Sequence, residues 1–426
     1  MKQGAVFVMP RRSTEWADAP GIWITAAGWA DAAQRRLGHA WVVTRDRVAT
    51  PHETVAFTEP LPPMRSTLRD IPAPLVVRTA AKDALRGWEA YKARDVGERV
   101  QWRDIELAFV WQHHDLFHFA GEPLARRHHV PLVSYVHAPQ VWEAARWGVR
   151  RPGWAGSLER LGDRPPLMHS DVVACVSEEV ADEVVRLGVE RDHVIVSPMA
   201  VDARRFSPSV SGRAARERLG LGDAFVVGWT GSFRKFHGLD TALEAFAMFA
   251  RCAPESRLLL VGDGPERDAV EDVARRLGII ESVTFAGATA HEDLPELVAA
   301  MDVTVVTVLD AEAFHYSPQK MREYLSCGRA VVAPRVGDVA RTVTDHVDAL
   351  LYDAGDAQAF ADRLLELRDD ADLREQLGQA GRSLIERTGT WDARLDQLLS
   401  SEAFRRAPGG RRVVNRAEGG FGGDDL

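Results

Sequence analysis

A chain of 426 residues is too long for one ordinary core; at roughly 150 residues per domain it allows two or three. The composition, 46% hydrophobic and 27% charged, is that of a soluble globular protein. A net charge of -9 excludes an overall basic field that would draw the chain to nucleic acid. The cysteines Cys175, Cys252 and Cys327 stand far apart without metal-ligand spacing, which reads as buried thiols in a reducing compartment. The first apolar run, Ala5–Met9, is too short for a signal peptide, and no window reaches the length of a membrane span. A cytoplasmic protein is the expectation.

Short apolar runs rich in β-branched residues alternate with longer helical patterns along most of the chain. The expected strands of the first half are Ala5–Met9, His39–Thr44, Leu116–Phe119, Leu132–His137, Val172–Val176 and Val194–Ser197. Between them, Thr50–Pro74 carries six prolines and reads as a long loop, and Arg78 to Val110 reads as helical. In the second half the strands are Phe225–Thr230, Arg257–Val261, Val283–Ala286, Val303–Val308 and Ala330–Ala333. Continuous apolar strands between helices predict parallel sheets covered on both faces. Two such series predict an α/β protein of two doubly wound domains. The polar, proline-bearing stretch near Val201–Ser211 is the expected hinge, so the domains are read as 1–201 and 202–389. The Gly- and Arg-rich end, 406–426, reads as a disordered tail.

Four segments could carry chemistry. The most informative runs from Tyr316 to Gly328 into Ala330–Pro334, and reads as a turn, a short helix and a buried strand. Ser317 is the expected N-cap, Pro318 the first helical residue and Gly328 the exit. The mouth of such a helix offers unpaired N–H groups to a phosphate, with Lys320 beside it. Glu323, one turn in, is placed to accept hydrogen bonds from ribose-type hydroxyls. An ordinary β-to-α connection with a surface ion pair fits the same residues equally well.

The second segment, Gly228 to Asp240, ends a strand in Gly231-Ser232 and follows with Arg234, Lys235 and His237. Its glycine permits close approach of a ligand and its basic residues would neutralise a diphosphate; a solvated turn is the plain alternative. The third, Gly262-Asp263-Gly264-Pro265, also joins strand to helix but lacks the full dinucleotide fingerprint, so no nicotinamide or flavin is implied. All these loops fall at carboxyl ends of strands, the ligand-binding edge of an open α/β sheet. In the first half His137 ends a strand at the corresponding edge, where a satisfied structural histidine is the better reading in isolation. The fourth segment, Val141 to Trp154, mixes tryptophan with arginine. Trp142 and Trp147 would stack on an acceptor sugar or touch a lipid headgroup; tryptophans filling the core beneath snorkelling arginines is the preferred reading of the residues alone. The pairs His113-His114 and His128-His129 diverge, so a metal site is not expected.

The order of these motifs resembles the retaining glycosyltransferases of family 4, from Ala5 to about Leu399. Gly38-His39 is similar to that family's Gly-His entry. Ser170–Ser177 is similar to its Ala-Asp…Val-Ser strand, and Pro198–Asp202 with Phe206 to its Pro-Asn-Gly-Val-Asp…Phe hinge. Gly262–Pro265, Val283–Gly287 and Glu323–Gly328 match it in sequence and order. The resemblance implies the GT-B architecture, two facing Rossmann-like domains with an interdomain cleft. It implies a nucleotide-diphosphate sugar donor, with Glu323 on the ribose. Ser317–Lys320 would lie near the diphosphate, and Gly231, Ser232 and Arg234–His237 would close over it. His137 would meet the donor sugar, Gly21, Trp142 and Trp147 would serve an acceptor, and a helix at about 390–405 would return to the first domain.

Departures from the family are specific. His315 stands where many relatives have a glutamate eight residues before Glu323. The phosphate loop has Ser232 and His237 where many have Arg and Lys, which gives Lys320 the role of the displaced cation. The hinge carries Met199-Ala200 instead of Asn-Gly. The expected function is sugar transfer to an acceptor hydroxyl, independent of metal and without cofactor. The acceptor could be a small molecule, a saccharide or a lipid-linked group, with peripheral membrane contact possible and no nucleic-acid partner. The rivals are a nucleotide-sugar epimerase of the same fold and a non-catalytic nucleotide-sugar-binding subunit.

Overall fold

The computed structural model describes residues 2–13, 20–55, 74–93, 105–309, 312 and 314–419. It divides into two compact units, Met1–Pro198 with Trp391–Leu426, and Met199–Thr390. The division falls three residues before the expected hinge because Val201 is tied to the second unit. Its N–H donates to the Gly389 carbonyl at 3.0 Å, and it bridges Thr390.

The first unit is built on β1 (Lys2–Val8), β2 (Gly38–Val43), β3 (Val48–Ala49), β4 (Ile105–His113), β5 (Leu132–Val136), β6 (Val172–Cys175) and β7 (Val194–Val196). They lie in the order β3-β2-β1-β4-β5-β6-β7, and only β3 pairs antiparallel. The second unit carries β8 (Val226–Thr230), β9 (Arg257–Val261), β10 (Val283–Gly287), β11 (Val303–Val305), β12 (Ala330–Pro334) and β13 (Leu350–Tyr352). Their order is β10-β9-β8-β11-β12-β13, all parallel. Each sheet reverses direction of winding once, between β1 and β4 and between β8 and β11. At such a switch point the loops leaving adjacent strands part and open a crevice at the carboxyl edge. The candidate residues of each unit gather around that place.

Four expectations are corrected. The stretch read as helical to Val110 is a helix at Leu75–Ala93 followed, beyond the undescribed 94–104, by β4. Ile105–Trp111 is apolar almost throughout because β4 is central and buried on both faces, and such a run has no period that separates strand from helix. Leu116–Phe119 is a turn, with Phe117 at φ 60°, not a strand. Within the proline-rich stretch Pro51–Val55 is a short helix, and 56–73 lies outside the described residues. Much of the expected disordered tail is ordered: after the helix Glu402–Arg406, residues Gly410–Gly419 form another, anchored by the buried Val413 and Val414. The adjacent Val413 and Val414 are buried within a segment whose composition is otherwise that of a tail.

The C-terminal return to the first unit has a definite seat. Helix Trp391–Ser400 sets Trp391, 3% exposed, against Gly28 of helix Pro20–Leu37. Arg35 forks onto Asp392 at 3.0 and 2.8 Å beside it. A Cβ on residue 28 would lie 2.3 Å from the indole Nε1, and the buried ring has nowhere to swing. Gly28→Ala is expected to cost about 1–3 kcal/mol by overpacking. Calorimetric melting should show the loss in a transition that Trp391→Ala also lowers.

Candidate active site

In the second unit the site starts from the end of β8. Trp229 is fully buried, and two residues on Gly231 takes φ +146°, a backbone that side-chain-bearing residues rarely adopt. A Cβ there would stand 2.7 Å from Lys320 Nζ. Lys320 lies in the first turn of helix Gln319–Ser326, and its ammonium sits 3.9 Å over the face of Trp229. The Nζ atom is buried and has no hydrogen-bond partner among the described residues. Burial pushes it down to about 7 against the opposing pull of Glu323. The first-turn N–H groups of this helix receive no side-chain cap among the described residues. Uncapped donors beside a buried cation are a ready seat for an anion.

The segment's geometry departs from expectation at Ser317. Pro318, with extended φ and ψ, holds the N-cap position, and the Ser317 hydroxyl instead accepts from the Met199 N–H at 3.0 Å. A serine one residue too early for the cap is turned to a chain partner 118 positions away. Tyr324 ties the helix to the strand end, its hydroxyl accepting from the Thr230 N–H at 2.7 Å. Arg322 is fully buried, donating to Asp338 at 2.9 Å and Thr342 at 3.1 Å, so it supports the helix from behind.

Glu323 is buried at the same face. Its Oε1 accepts from Gln319 Nε2 at 3.0 Å and meets His291 Nε2 at 2.9 Å. Two contacts on one oxygen fix the carboxylate plane and leave Oε2, which has no partner among the described residues, for a ligand hydroxyl. His291 itself lies against the Phe206 ring at 5.3 Å.

The remaining loop candidates take different parts. His237 packs edge-on to Trp229 at 5.5 Å and is held well below its ordinary pKa by burial, then by the charges of Lys320 and Arg234. It therefore offers a neutral hydrogen-bonding ring, not a charge. Arg234 and Ser232 stand on the same loop, half-buried. Gly262 and Gly264 are required by packing: a Cβ at 262 would overlap the Gly231 carbonyl at 1.9 Å, and one at 264 would press the Phe233 backbone at 2.7 Å. Their loop backs the Gly231 loop. His315 is buried with its ring edge-on to Tyr316.

In the first unit His137 leaves the end of β5 half-buried. Its Nδ1 lies 2.9 Å from His113 Nε2 at the end of β4, and its Nε2 is 3.5 Å from Thr25 Oγ1. The Thr25 hydroxyl donates to the Gly21 carbonyl at 2.7 Å, so toward His137 it acts as an acceptor. Burial pulls His137 down to about 4, and burial with the His137 charge holds His113 well below the ordinary range. The two rings are thus neutral and share one N–H between them, as two cationic rings at that distance would repel. Asp163 braces the segment after His137, accepting the N–H groups of Gln140 at 2.9 Å and Val141 at 2.8 Å and meeting His114 at 3.0 Å. Trp142 carries the Arg146 guanidinium 4.3 Å over its ring, and Trp147 is 39% exposed, so neither fills the core. Trp154 does turn inward, donating to Asp83 at 3.0 Å.

The sequence profile described as Glycosyltransferase Family 4 matches residues 21–205, and that described as Glycosyl transferases group 1 matches 224–370. The D-inositol 3-phosphate glycosyltransferase of Thermomonospora curvata is 32% identical over 367 residues, covering 79% of this chain and 84% of that protein. The chain belongs to glycosyltransferase family 4. A second relative, the GDP-mannose-dependent alpha-(1-6)-phosphatidylinositol monomannoside mannosyltransferase of Mycolicibacterium smegmatis, is 30% identical over 67% of this chain and 74% of its own. Among solved structures, HepE of Anabaena in complex with UDP superposes with a TM-score of 0.62 at 18% identity, over 94% of this chain and 100% of that one. That likeness shows the GT-B fold.

For this glycosyltransferase the sequence reading missed His291, Gln319, Trp229, His113 and Thr25. Three of them carried a usable signal. His291 lies in the loop that leaves β10, so the carboxyl-edge rule reaches it. His113 ends β4 at the switch point, and was weighed only as half of the diverging His113-His114 pair. Gln319 is one turn before Glu323, the spacing at which helical side chains meet. Trp229 and Thr25 have nothing local to distinguish them.

Proposed function

We propose that this glycosyltransferase moves a hexose or related sugar from a nucleoside-diphosphate sugar to an acceptor hydroxyl, with retention and without a metal ion. One observation carries the reading. A carboxylate with one oxygen fixed and the other open lies one turn along the same short helix from a buried, unpartnered ammonium. Glu323 Oε2 would accept the ribose hydroxyls, while Lys320, Arg234 and the uncapped N–H groups would take the diphosphate. Gly231 and Ser232 would line the phosphates, His237 would donate to them as a neutral ring, and Gly262 and Gly264 would keep their loop in place. The name of the Mycolicibacterium relative, with its GDP-mannose donor, and the UDP complex of HepE support a nucleotide-sugar donor.

Leaving-group departure would be assisted by charge already in position, so the chemistry is positioning plus stabilisation of the developing phosphate. His137 would orient the transferred sugar through Nε2, with His113 fixing its tautomer; Gly21, Trp142 and Trp147 belong to the acceptor side. Activity is expected to persist in excess EDTA, with an α-linked donor yielding an α-linked product by its anomeric coupling constant. Loss of activity restored only by Mg²⁺ or Mn²⁺ overturns the metal-independent mechanism; a β product overturns retention. Formation of a 1,2-unsaturated sugar or of the C2 epimer from donor alone would favour the epimerase, and binding without turnover the non-catalytic subunit.

A further inference from the structure

Helix Leu75–Ala93 of the first unit carries its polarity the wrong way round for a surface helix. Its inner face holds Asp83, buried, accepting from Arg151 Nε at 2.7 Å, Arg151 Nη2 at 3.0 Å and Trp154 Nε1 at 3.0 Å. Its outer face holds Val77 and Trp88, each 55% exposed, with Tyr91 at 55% and Leu85 at 47%. Positions 77, 81, 84, 88 and 91 recur at alternating spacings of four and three, which puts Val77, Ala81, Ala84, Trp88 and Tyr91 in one stripe, with Leu85 beside it. A contiguous apolar stripe of this kind on a soluble chain marks a surface that meets something.

Charge says what it meets. Apart from Arg86, which turns to Gln140, and Asp83, which turns to Arg151, the helix carries Arg78, Lys82 and Lys92 against Glu89, a net +2 on a chain of net -9. Both carboxylates are already committed, Asp83 to Arg151 and Glu89 to Arg45 and Lys92. Lys92 reaches over the Trp88 ring at 5.0 Å, and Trp88 stacks on Tyr91 at 5.9 Å, so cation and aromatics form one group at the C-terminal end. Tryptophan and tyrosine with lysine alongside are the residues that settle at the headgroup level of a bilayer. A second copy of this helix would bring like charge to like charge. The two alanines at the middle of the stripe would also give it little to interlock with.

We propose that helix Leu75–Ala93 docks the protein on an anionic lipid surface, lying in the interface plane with Val77, Leu85, Trp88 and Tyr91 inward. The Asp83–Arg151 clamp and the Arg86–Gln140 contact at 3.4 Å fasten that helix to the segment that follows His137. The inference does not depend on the donor chemistry of the second unit.

The test is sedimentation of the full chain with sucrose-loaded vesicles of phosphatidylcholine alone and of phosphatidylcholine mixed with phosphatidylglycerol. The wild type should pellet with the mixed vesicles, less so in high salt. Leu85→Ser with Trp88→Ser should weaken that binding by about tenfold or more, with an unchanged melting temperature because both side chains are exposed. Arg78→Gln with Lys92→Gln should abolish the preference for the anionic vesicles. No binding to mixed vesicles, or binding equal in wild type and both variants, overturns the proposal. A concentration-dependent dimer that the Leu85/Trp88 variant loses, without vesicle binding, also overturns it and assigns the face to a second copy.

Discussion

Lys320→Met should weaken binding of a nucleoside-diphosphate sugar while making the unliganded protein more stable. The two effects have one origin. The ammonium is buried over Trp229 without a hydrogen-bond partner among the described residues, a costly state that a bound diphosphate would relieve. Charge-assisted hydrogen bonds stabilise by about 1.5–3 kcal/mol, so titration calorimetry should show roughly a ten- to a hundred-fold loss for the donor and almost none for the free nucleoside. The pH dependence follows from the depressed titration. Lysine ordinarily titrates at 10.5, and burial brings Lys320 to about 7. Between those values the unfolded chain holds more protons than the folded one, so stability climbs with pH across that window. Below pH 7 the full penalty is present. The melting-temperature gain of Lys320→Met should therefore be largest at or below pH 7 and vanish above about 10.5. Donor affinity of the wild type should fall as pH rises from 7, since binding must then take up a proton. A nucleotide sugar is the right probe, because its diphosphate does not titrate near neutrality. A variant that binds donor normally and melts lower would show Lys320 to be a structural cation.

How far this could be read from the residues differs sharply between strands and side chains. Arg257–Val261 was bounded correctly from composition because a buried parallel strand leaves an uninterrupted apolar run between a polar turn and Gly262. The same feature hid β4, whose run begins well after Gly97 with no turn signal at its own start. Val48–Ala49 and Leu350–Tyr352 are edge strands of two and three residues, set by pairing to a neighbour and not by their own pattern.

Around the site, Lys320, Glu323 and Gly231 were legible because each stands at a strand end or a helix start, where local rules apply. What decides their chemistry was not. That Lys320 lies on Trp229, that Gly231 leaves room for its ammonium, and that His291 holds Glu323 are contacts between loops from different strands. Spacing along a chain carries no record of them. Ser317 shows the converse failure: its type and place suit a cap, and the hydroxyl was claimed by Met199, 118 positions away along the chain.

Glu323→Gln should weaken nucleoside and nucleoside diphosphate alike, by about ten- to a hundred-fold, since a charged acceptor is replaced by a neutral one at the ribose and nothing changes at the phosphates. Lys320→Met spares the free nucleoside where Glu323→Gln does not, so the pair of titrations separates the two halves of the ligand. His291→Ala provides the control for position against charge. It removes one of the two contacts on Oε1 but leaves the carboxylate and Gln319 in place, so it should cost about tenfold or less. It should also act through a freer carboxylate and not through lost contact with the ligand. In a double-mutant cycle the two changes should be strongly non-additive, because His291 has nothing left to position once the carboxylate is gone. Glu323→Gln should keep its fold, as an amide can still accept at Oε1 from Gln319. Additive losses would place His291 directly on the ligand. Unchanged affinities in Glu323→Gln, with a lowered melting temperature, would make the His291–Glu323–Gln319 cluster a structural clasp and remove the ribose from this face.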